Sequence, residues 1–368
     1  MNTLLISGIY KPEVGGPATY IPTLAICLQA KQNQVEVVTF KNANAKPVTE
    51  PWPLTYIQRD QFLPLRFIKT VLILLNKYKK KDVIFANGLH QETAVALFLF
   101  KKYAVAKVVG DPVWERAKNR GQTNLDIVNF NLGPLKPRHK LQRIFLTWSL
   151  NRFDKITCPS RELSEIIFNW GVTKPIEFIA NGIPLAEPSF DEKIFDVVSV
   201  SRLVSWKNID LLIKSCALSN ASLAIVGDGP DEEKLRKIGE QSGAKITFFG
   251  QLNSHDVENV LKKSKIFALL SDYEGLSFAL LSAMANGLPS IISDVRGNSD
   301  VITDRVEGII VDTNDSDSVV WAIKELLSDS AKATQYGQAA VKKVIAEYDQ
   351  DKQIKKVINL MKRGSNFG

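Results

Sequence analysis

Short apolar runs recur along this chain, separated by longer stretches in which apolar positions repeat every three or four residues. The runs read as strands buried on both faces, the longer stretches as amphipathic helices. The runs predict strands over 3–7, 35–39, 83–86, 106–109 and 155–158 in the first half. In the second half they predict strands over 196–199, 222–226, 246–249, 266–270, 290–293 and 308–311. Strands alternating with helices in this way give βαβ units and parallel sheets. The segment 183–189 holds Pro184 and Pro188, lacks periodicity and reads as a linker. The predicted architecture is α/β, with two doubly wound parallel-sheet domains over 1–186 and 187–350. A basic C-terminal helix, 351–361 within the segment 351–368, is expected to return to the first domain. Two such domains leave a cleft lined by the carboxyl ends of strands, so functional residues are expected just after strands.

Composition changes this picture little, and charge changes it more. A chain of 368 residues can bury two ordinary cores, and 45% hydrophobic with 23% charged residues is the balance of a soluble globular protein. No apolar run reaches the ~20 residues of a membrane helix. The stretch Met1 to Tyr10 reads as a first strand, not a signal peptide. Cys27, Cys158 and Cys216 are odd in number and widely spaced, which argues for a reducing compartment and a cytoplasmic location. Residues 1–186 hold 25 Lys and Arg against 13 Asp and Glu, whereas 187–368 hold 22 against 26. The first domain therefore expects an anionic partner: a phospholipid surface or a lipid-linked acceptor, with a solvated basic face as the bland alternative. Nucleic acid is disfavoured, because no helix-turn-helix, zinc-finger or RNP-like pattern accompanies the charge. Lys136, Arg138, Lys140 and Arg143 run into Ile144-Phe145-Leu146-Thr147-Trp148, and Arg66, Lys69, Lys77 and Lys79 to Lys81 flank another apolar helix. Such helices suit the inner face of an anionic membrane; core helices with basic ends fit the same pattern.

Five segments carry candidate chemistry. After the run 266–270 come an acid and a glycine, Glu274 and Gly275, then a helical stretch and Gly-Leu-Pro-Ser-Ile-Ile. Backbone N–H groups at such a helix start suit an anion, and the carboxylate beside them suits hydroxyl groups. Gly15 and Gly16 follow the first strand and open a helix, although Gly-Gly-Pro is also an ordinary loop. Arg202 and Lys207, just past the first strand of the second domain, could converge on a diphosphate. Asp111 follows a strand and could accept sugar hydroxyls, or simply form an Asp-Pro turn. Gly227-Asp228-Gly229-Pro230 lacks the third glycine of a dinucleotide fingerprint, and no P-loop occurs. His90, His139 and His255 have no ligand spacing, so neither metal nor cofactor is expected. Asp315-Ser316-Asp317 precedes a helical stretch and reads as a cap.

Taken in order, these segments resemble retaining family 4 glycosyltransferases of the GT-B fold, which have two Rossmann-like domains. The likeness rests on the paired glycines, Asn181-Gly182-Ile183-Pro184, Ser201-Arg202-Leu203 with Lys207, Gly227 to Pro230, Phe249-Gly250 and Glu274-Gly275. It implies a UDP-, GDP- or dTDP-linked sugar donor and a glycan or polyprenyl-linked acceptor. By the same resemblance Arg202 and Lys207 hold the diphosphate, and Gly250 and Leu252 face the base. Glu274 touches the transferred sugar, while Gly275 and Leu276 offer N–H groups to phosphate. Two departures stand out. Many members have a histidine where this chain has Asp111, and the second of the family's paired glutamates is replaced by Ser282. Eight residues after Glu274, Ser282 is expected on the same helix face, offering one hydroxyl where a carboxylate would grip a ribose. A non-catalytic partner subunit or glycan-binding protein with a degenerate donor site is the rival reading; a GT-B epimerase or phosphorylase has no dedicated signature here.

Overall fold

The computed structural model describes residues 1–13, 15–42, 48–185 and 192–365; the expected 186/187 boundary and linker residues 186–189 lie outside them. The chain forms two compact units, one of Met1–Ala180 with the stretch from Gln353, the other of Asn181–Lys352.

Seven strands build the first unit: β1 (Asn2–Ser7), β2 (Gln34–Lys41), β3 (Leu54–Gln58), β4 (Val83–Asn87), β5 (Tyr103–Lys107), β6 (Lys155–Cys158) and β7 (Ile176–Phe178). They form one parallel sheet in the order β3-β2-β1-β4-β5-β6-β7. The connecting helices are α1 (Gly16–Ala30), α2 (Leu63–Tyr78), α3 (His90–Leu99), α4 (Pro112–Asn119), α5 (Ile127–Leu132), α6 (Pro137–Leu150) and α7 (Arg161–Asn169). Leu4, Leu5, Ile6, Val83, Ile84 and Phe85 are fully buried, as strands covered on both faces must be.

The second unit repeats the plan. Its sheet runs β10 (Ile246–Gly250), β9 (Leu223–Val226), β8 (Phe195–Val200), β11 (Ser264–Leu269), β12 (Ser290–Ser293) and β13 (Gly308–Val311), all parallel. Around it lie α8 (Ile209–Leu218), α9 (Glu232–Ser242), α10 (Ser254–Lys262), α11 (Phe278–Ala285), α12 (Arg296–Ser299), α13 (Ser316–Ser328) and α14 (Ser330–Glu347). Val197, Ile225, Ile266, Ile291 and Ile309 meet Leu212, Ile213, Val319 and Ile323 in its core. Asp315 accepts from the Asp317 N–H and caps α13, the role its position suggests. The last helix, α15 (Gln350–Ser365), buries Val357, Ile358 and Met361, and Tyr103 Oη donates to its Leu360 carbonyl at 3.1 Å.

Three strands differ from expectation. β3 and β7 are additional, and both are sheet edges whose residues are largely half-exposed, so neither carries a continuous apolar run. β5 begins and ends earlier than 106–109: its last residue is the buried Lys107, while Val109 is exposed. In both sheets the strand order reverses beside the unit's first strand, between β1 and β4 and between β8 and β11. The carboxyl ends at such reversals are where open α/β sheets bind ligands.

Candidate functional site

At the reversal of the second unit, the segment after β8 meets the segment after β11. Past β8 the chain makes a single 3-10 turn, Ser205–Lys207, and enters α8 through Asn208 in the left-handed conformation. Asn208 Nδ2 donates to the Leu270 carbonyl at 2.8 Å and to Asp272 Oδ1 at 2.6 Å, and the Asp272 N–H donates to the Trp206 carbonyl at 2.8 Å. These ties bring Lys207 Nζ against Glu274 Oε1 in an ion pair. Ser271 Oγ donates to the same oxygen at 2.8 Å, and Ser293 Oγ to the Ser271 carbonyl at 2.6 Å. Both contacts to Glu274 fall on Oε1. Asn181 Nδ2 donates to the Leu276 carbonyl at 3.0 Å, while its buried Oδ1 has no partner. Arg202 is exposed and Leu252 half-buried.

Glycines fix how these segments approach. A Cβ on Gly227 would stand 1.9 Å from the Ser201 carbonyl oxygen, and one on Gly229 2.2 Å from that of Leu203. The Leu203 N–H donates to the Asp228 carbonyl at 2.8 Å, so the two loops lie backbone on backbone. Gly227 and Gly229 are thus demanded by loop packing, whatever they offer a ligand. Gly250 has φ near +63° with open space around it, and its carbonyl accepts from the Gly227 N–H at 2.8 Å.

The helix reading of Glu274 needs correction. Ser277 caps α11 by accepting from the Leu280 N–H at 3.3 Å, so the helix starts at Phe278. Glu274, Gly275 and Leu276 belong to the loop before it, and the open first-turn N–H groups are those of Phe278 and Ala279. Glu274 and the half-buried Ser282 therefore do not share a helix face by periodicity. Sequence reasoning missed three residues here: Ser271, Asn208 and Gly297. A Cβ on Gly297 would stand 1.7 Å from the Glu274 carbonyl oxygen, so this glycine seats the acidic loop. Its signal, a glycine just after the strand 290–293, was visible but unspecific.

In the first unit Gly15 precedes α1 and Gly16 begins it. Asp111 is corrected most. It is fully buried, and its two oxygens take four donors. Oδ1 accepts from the Val113 and Trp114 N–H groups at 2.9 and 3.2 Å; Oδ2 accepts from Asn131 Nδ2 at 2.9 Å and from the Arg143 guanidinium at 2.5 Å. A carboxylate has about four acceptor sites. None is left for a sugar hydroxyl, so Asp111 is a helix cap and buried ion-pair partner. Arg143 stacks 4.1 Å from the Trp170 ring centroid, and burial lowers its affinity for its proton against the pull of Asp111. It is thus no part of a solvated basic face. The carboxyl ends of β1, β4 and β5 enclose a pocket of about 320 Å³ lined by Gly8, Asn87, His90, Glu92, Lys107 and Arg116 among others. Burial pushes the His90 imidazole down to about 4, so the ring is neutral near pH 7, its Nε2 3.1 Å from the Lys107 carbonyl oxygen. Among the described residues no group of three or more His, Cys, Asp or Glu is placed to hold a metal ion.

Two family profiles divide this chain between them. "Glycosyltransferase Family 4" matches residues 14–187, and "Glycosyl transferases group 1" matches residues 185–343. The chain belongs to the group 1, family 4 glycosyltransferases. This family member is 31% identical over 178 residues to an uncharacterised glycosyltransferase of Methanocaldococcus jannaschii, covering 47% of this chain and 45% of the relative. It is 30% identical over 180 residues to a GDP-mannose-dependent alpha-(1-6)-phosphatidylinositol monomannoside mannosyltransferase of Mycobacterium tuberculosis, covering 45% of this chain and 47% of that one. The matches thus span about half the length of these relatives. In fold it superposes on sucrose-phosphate synthase from Thermosynechococcus elongatus with a TM-score of 0.81 at 19% identity, covering 99% of both chains. It superposes on Anabaena HepE in complex with UDP and glucose with a TM-score of 0.79 at 17% identity, covering 99% and 100%. The two-sheet architecture is the expected GT-B fold.

Proposed function

We propose that this chain transfers a hexose from a nucleotide-sugar donor to a cell-envelope glycan or polyprenyl-linked acceptor, with retention of anomeric configuration and without a metal. The observation that carries the reading is the Lys207–Glu274–Ser271 cluster at the second unit's sheet reversal. Lys207 and Ser271 hold Glu274 by one oxygen, which leaves the other for a hydroxyl of the bound sugar. Arg202 and Lys207 would take the diphosphate, with Gly275 and Leu276 offering N–H groups and Gly250 and Leu252 facing the base. Negative charge grows on the leaving phosphate as the glycosidic bond breaks, so fixed cations placed there lower the barrier. The acceptor oxygen then bonds to the anomeric carbon from the face the phosphate leaves, and its proton passes to the departing phosphate oxygen. Relatives support the donor and acceptor classes: the mycobacterial protein is named for GDP-mannose and a phosphatidylinositol mannoside, an Escherichia coli one for UDP-Gal and a diphosphoundecaprenol acceptor.

Thermal-shift titration with UDP, GDP, dTDP and ADP tests the reading. One nucleotide should raise the melting temperature, and Ser282→Glu should tighten its binding by roughly tenfold if the serine faces a ribose. Absence of a shift with every nucleotide at millimolar concentration favours the non-catalytic partner subunit instead.

The acceptor side draws on the first unit. α2 exposes Leu65, Ile68 and Leu72, and α6 exposes Leu141 and Ile144, beside the exposed Lys69, Arg138 and Lys140. The Phe67 ring of α2 meets the Phe145 ring of α6, their centroids 6.4 Å apart. No described helix is long and apolar enough to cross a membrane, and this face suits peripheral contact with the inner leaflet. Vesicles containing anionic lipid should carry the protein in flotation, and Ile68→Ser with Leu72→Ser should release it. Equal flotation with neutral vesicles defeats the electrostatic part.

A further inference from the structure

The sheet of the first unit carries a polar row where neighbouring rows are apolar. Thr39, Ser7 and Asn87 are register neighbours on β2, β1 and β4, and Lys107 neighbours Thr157 on β5 and β6. Ala86 pairs with Ala106, which carries the row from Asn87 on to Lys107. Register neighbours in a parallel ladder project from the same face. All five are buried, Lys107 at 1% exposure and Asn87 at 2%. One step back on that face lie Val37, Leu5, Phe85 and Val105, an ordinary core row.

Three members of the polar row lack hydrogen-bond partners: Thr157, and the two that also line the strand-end pocket, Lys107 and Asn87. Lys107 Nζ sits 4.2 Å from the Tyr20 ring centroid and has no hydrogen bond, and neither polar atom of the Asn87 side chain has one. Burial pushes the Lys107 ammonium down to about 7, opposed only by the Cys158 thiol. Both residues line the pocket at the ends of β1, β4 and β5. Its walls also include Pro17 in the first turn of α1 and His90 at the start of α3. Neither helix has a side chain capping its first turn, so two positive dipole ends border one space. Of the charged side chains lining it, Arg66, Arg116 and Lys107 are cationic, while Glu92 and Glu115 are acidic, with burial raising Glu92 toward its neutral form. A buried lysine without a hydrogen bond, in a pocket whose wall also includes two uncapped helix N-termini, is the complement of an anion.

We propose that this pocket seats an anionic group of the acceptor, a phosphate or a carboxylate, on Lys107 and Asn87. A volume of about 320 Å³ suits one charged sugar unit, not a polymer segment. Only the word acceptor rests on the glycosyl-transfer reading; the anion site stands on its own observations.

Calorimetric titration of the full chain with orthophosphate, glucose 6-phosphate, glucuronate and glucose tests it, each with and without saturating nucleotide. At least one charged sugar should bind tenfold or more tightly than glucose, in both conditions, and the tighter class names the group. Lys107→Met should erase that advantage while melting at or above the wild-type temperature, because it removes an unpaired buried charge. Asn87→Ala should weaken the charged ligands without changing glucose. Equal binding of charged and neutral sugars overturns the proposal, as does undiminished binding by Lys107→Met. Nucleotide that abolishes anion binding also overturns it, since Lys107 would then serve the donor phosphate. An anion site present in a chain that binds no nucleotide leaves this proposal standing and sinks glycosyl transfer.

Discussion

Replacing Lys207 by Met should lower turnover of the nucleotide-sugar donor about 100- to 1,000-fold, the scale seen when one fixed donor to a developing anion is removed. Lys207 is positioned by the turn Ser205–Lys207 and by Asn208, whose amide ties the β8 segment to Leu270 and Asp272. It would serve twice, as the charge on the leaving phosphate and as the partner that fixes Glu274. Methionine keeps the apolar stem and leaves Glu274 to Ser271 alone. If the charge acts mainly in the transition state, kcat falls far more than nucleotide affinity. Rates of nucleotide release from UDP-, GDP- and dTDP-sugars, set beside nucleotide dissociation constants, separate the two. A variant with wild-type kcat and a raised KM would move Lys207 from catalysis to simple binding. Arg202→Ala should show a smaller loss, because an exposed guanidinium is screened by water.

How far this site could be read in the sequence depends on what each residue's role requires. The alternation of apolar runs and helical stretches was enough for two parallel sheets, because strands covered on both faces must be apolar throughout. It failed at β3 and β7, where an edge position relaxes that demand. Arg202, Lys207 and Glu274 follow strands, as the strand-end rule expects of candidates, and the structure brings Lys207 and Glu274 together. The start of α11 was misplaced because Glu274 and Gly275 look like a helix opening, whereas the Ser277 hydroxyl captures the Leu280 N–H and sets the first turn later. Ser271 and Gly297 went unmarked because a serine three residues before the acid and a glycine after a strand are unspecific signals, and each matters only through its contact with the Glu274 carboxylate or carbonyl. Lys107 was hidden by its type: a lysine closing a strand ordinarily reads as solvated, and only the register with Asn87 and Thr157 shows that it is interior.

Both units place polar groups at the same point of one topology. Each reverses its strand order beside its first strand and gathers polar groups at the carboxyl ends there, Lys207 and Glu274 in one, Asn87 and Lys107 in the other. The two sets differ in pairing. Lys207 and Glu274 are paired through one carboxylate oxygen, so the cluster proposed for the donor rests as a neutral pair. Asn87 and Lys107 are unsatisfied, so their burial is sustained by the rest of the sheet until an anion arrives.

Asp111→Ala should destabilise the first unit by about 3–5 kcal/mol, the usual cost of stranding one member of a buried ion pair. The substitution removes four hydrogen bonds at once, including the cap on α4, and leaves Arg143 buried against Trp170 without its carboxylate. For a unit of this size that is a fall of roughly 10 °C in melting temperature. Arg143→Met should cost less, because Asp111 keeps its cap and Asn131. Pairing Asp111→Leu with Arg143→Met should recover much of the loss, since two apolar side chains replace two buried charges. Calorimetric melting of Asp111→Leu, Arg143→Met and their double measures the coupling directly. The nucleotide-induced shift should survive in all three, because the groups that would hold the nucleotide belong to the other unit. An Asp111→Ala chain that melts like the wild type but loses turnover a hundredfold would return this carboxylate to the reaction. Its four filled acceptor positions say that it is already fully occupied.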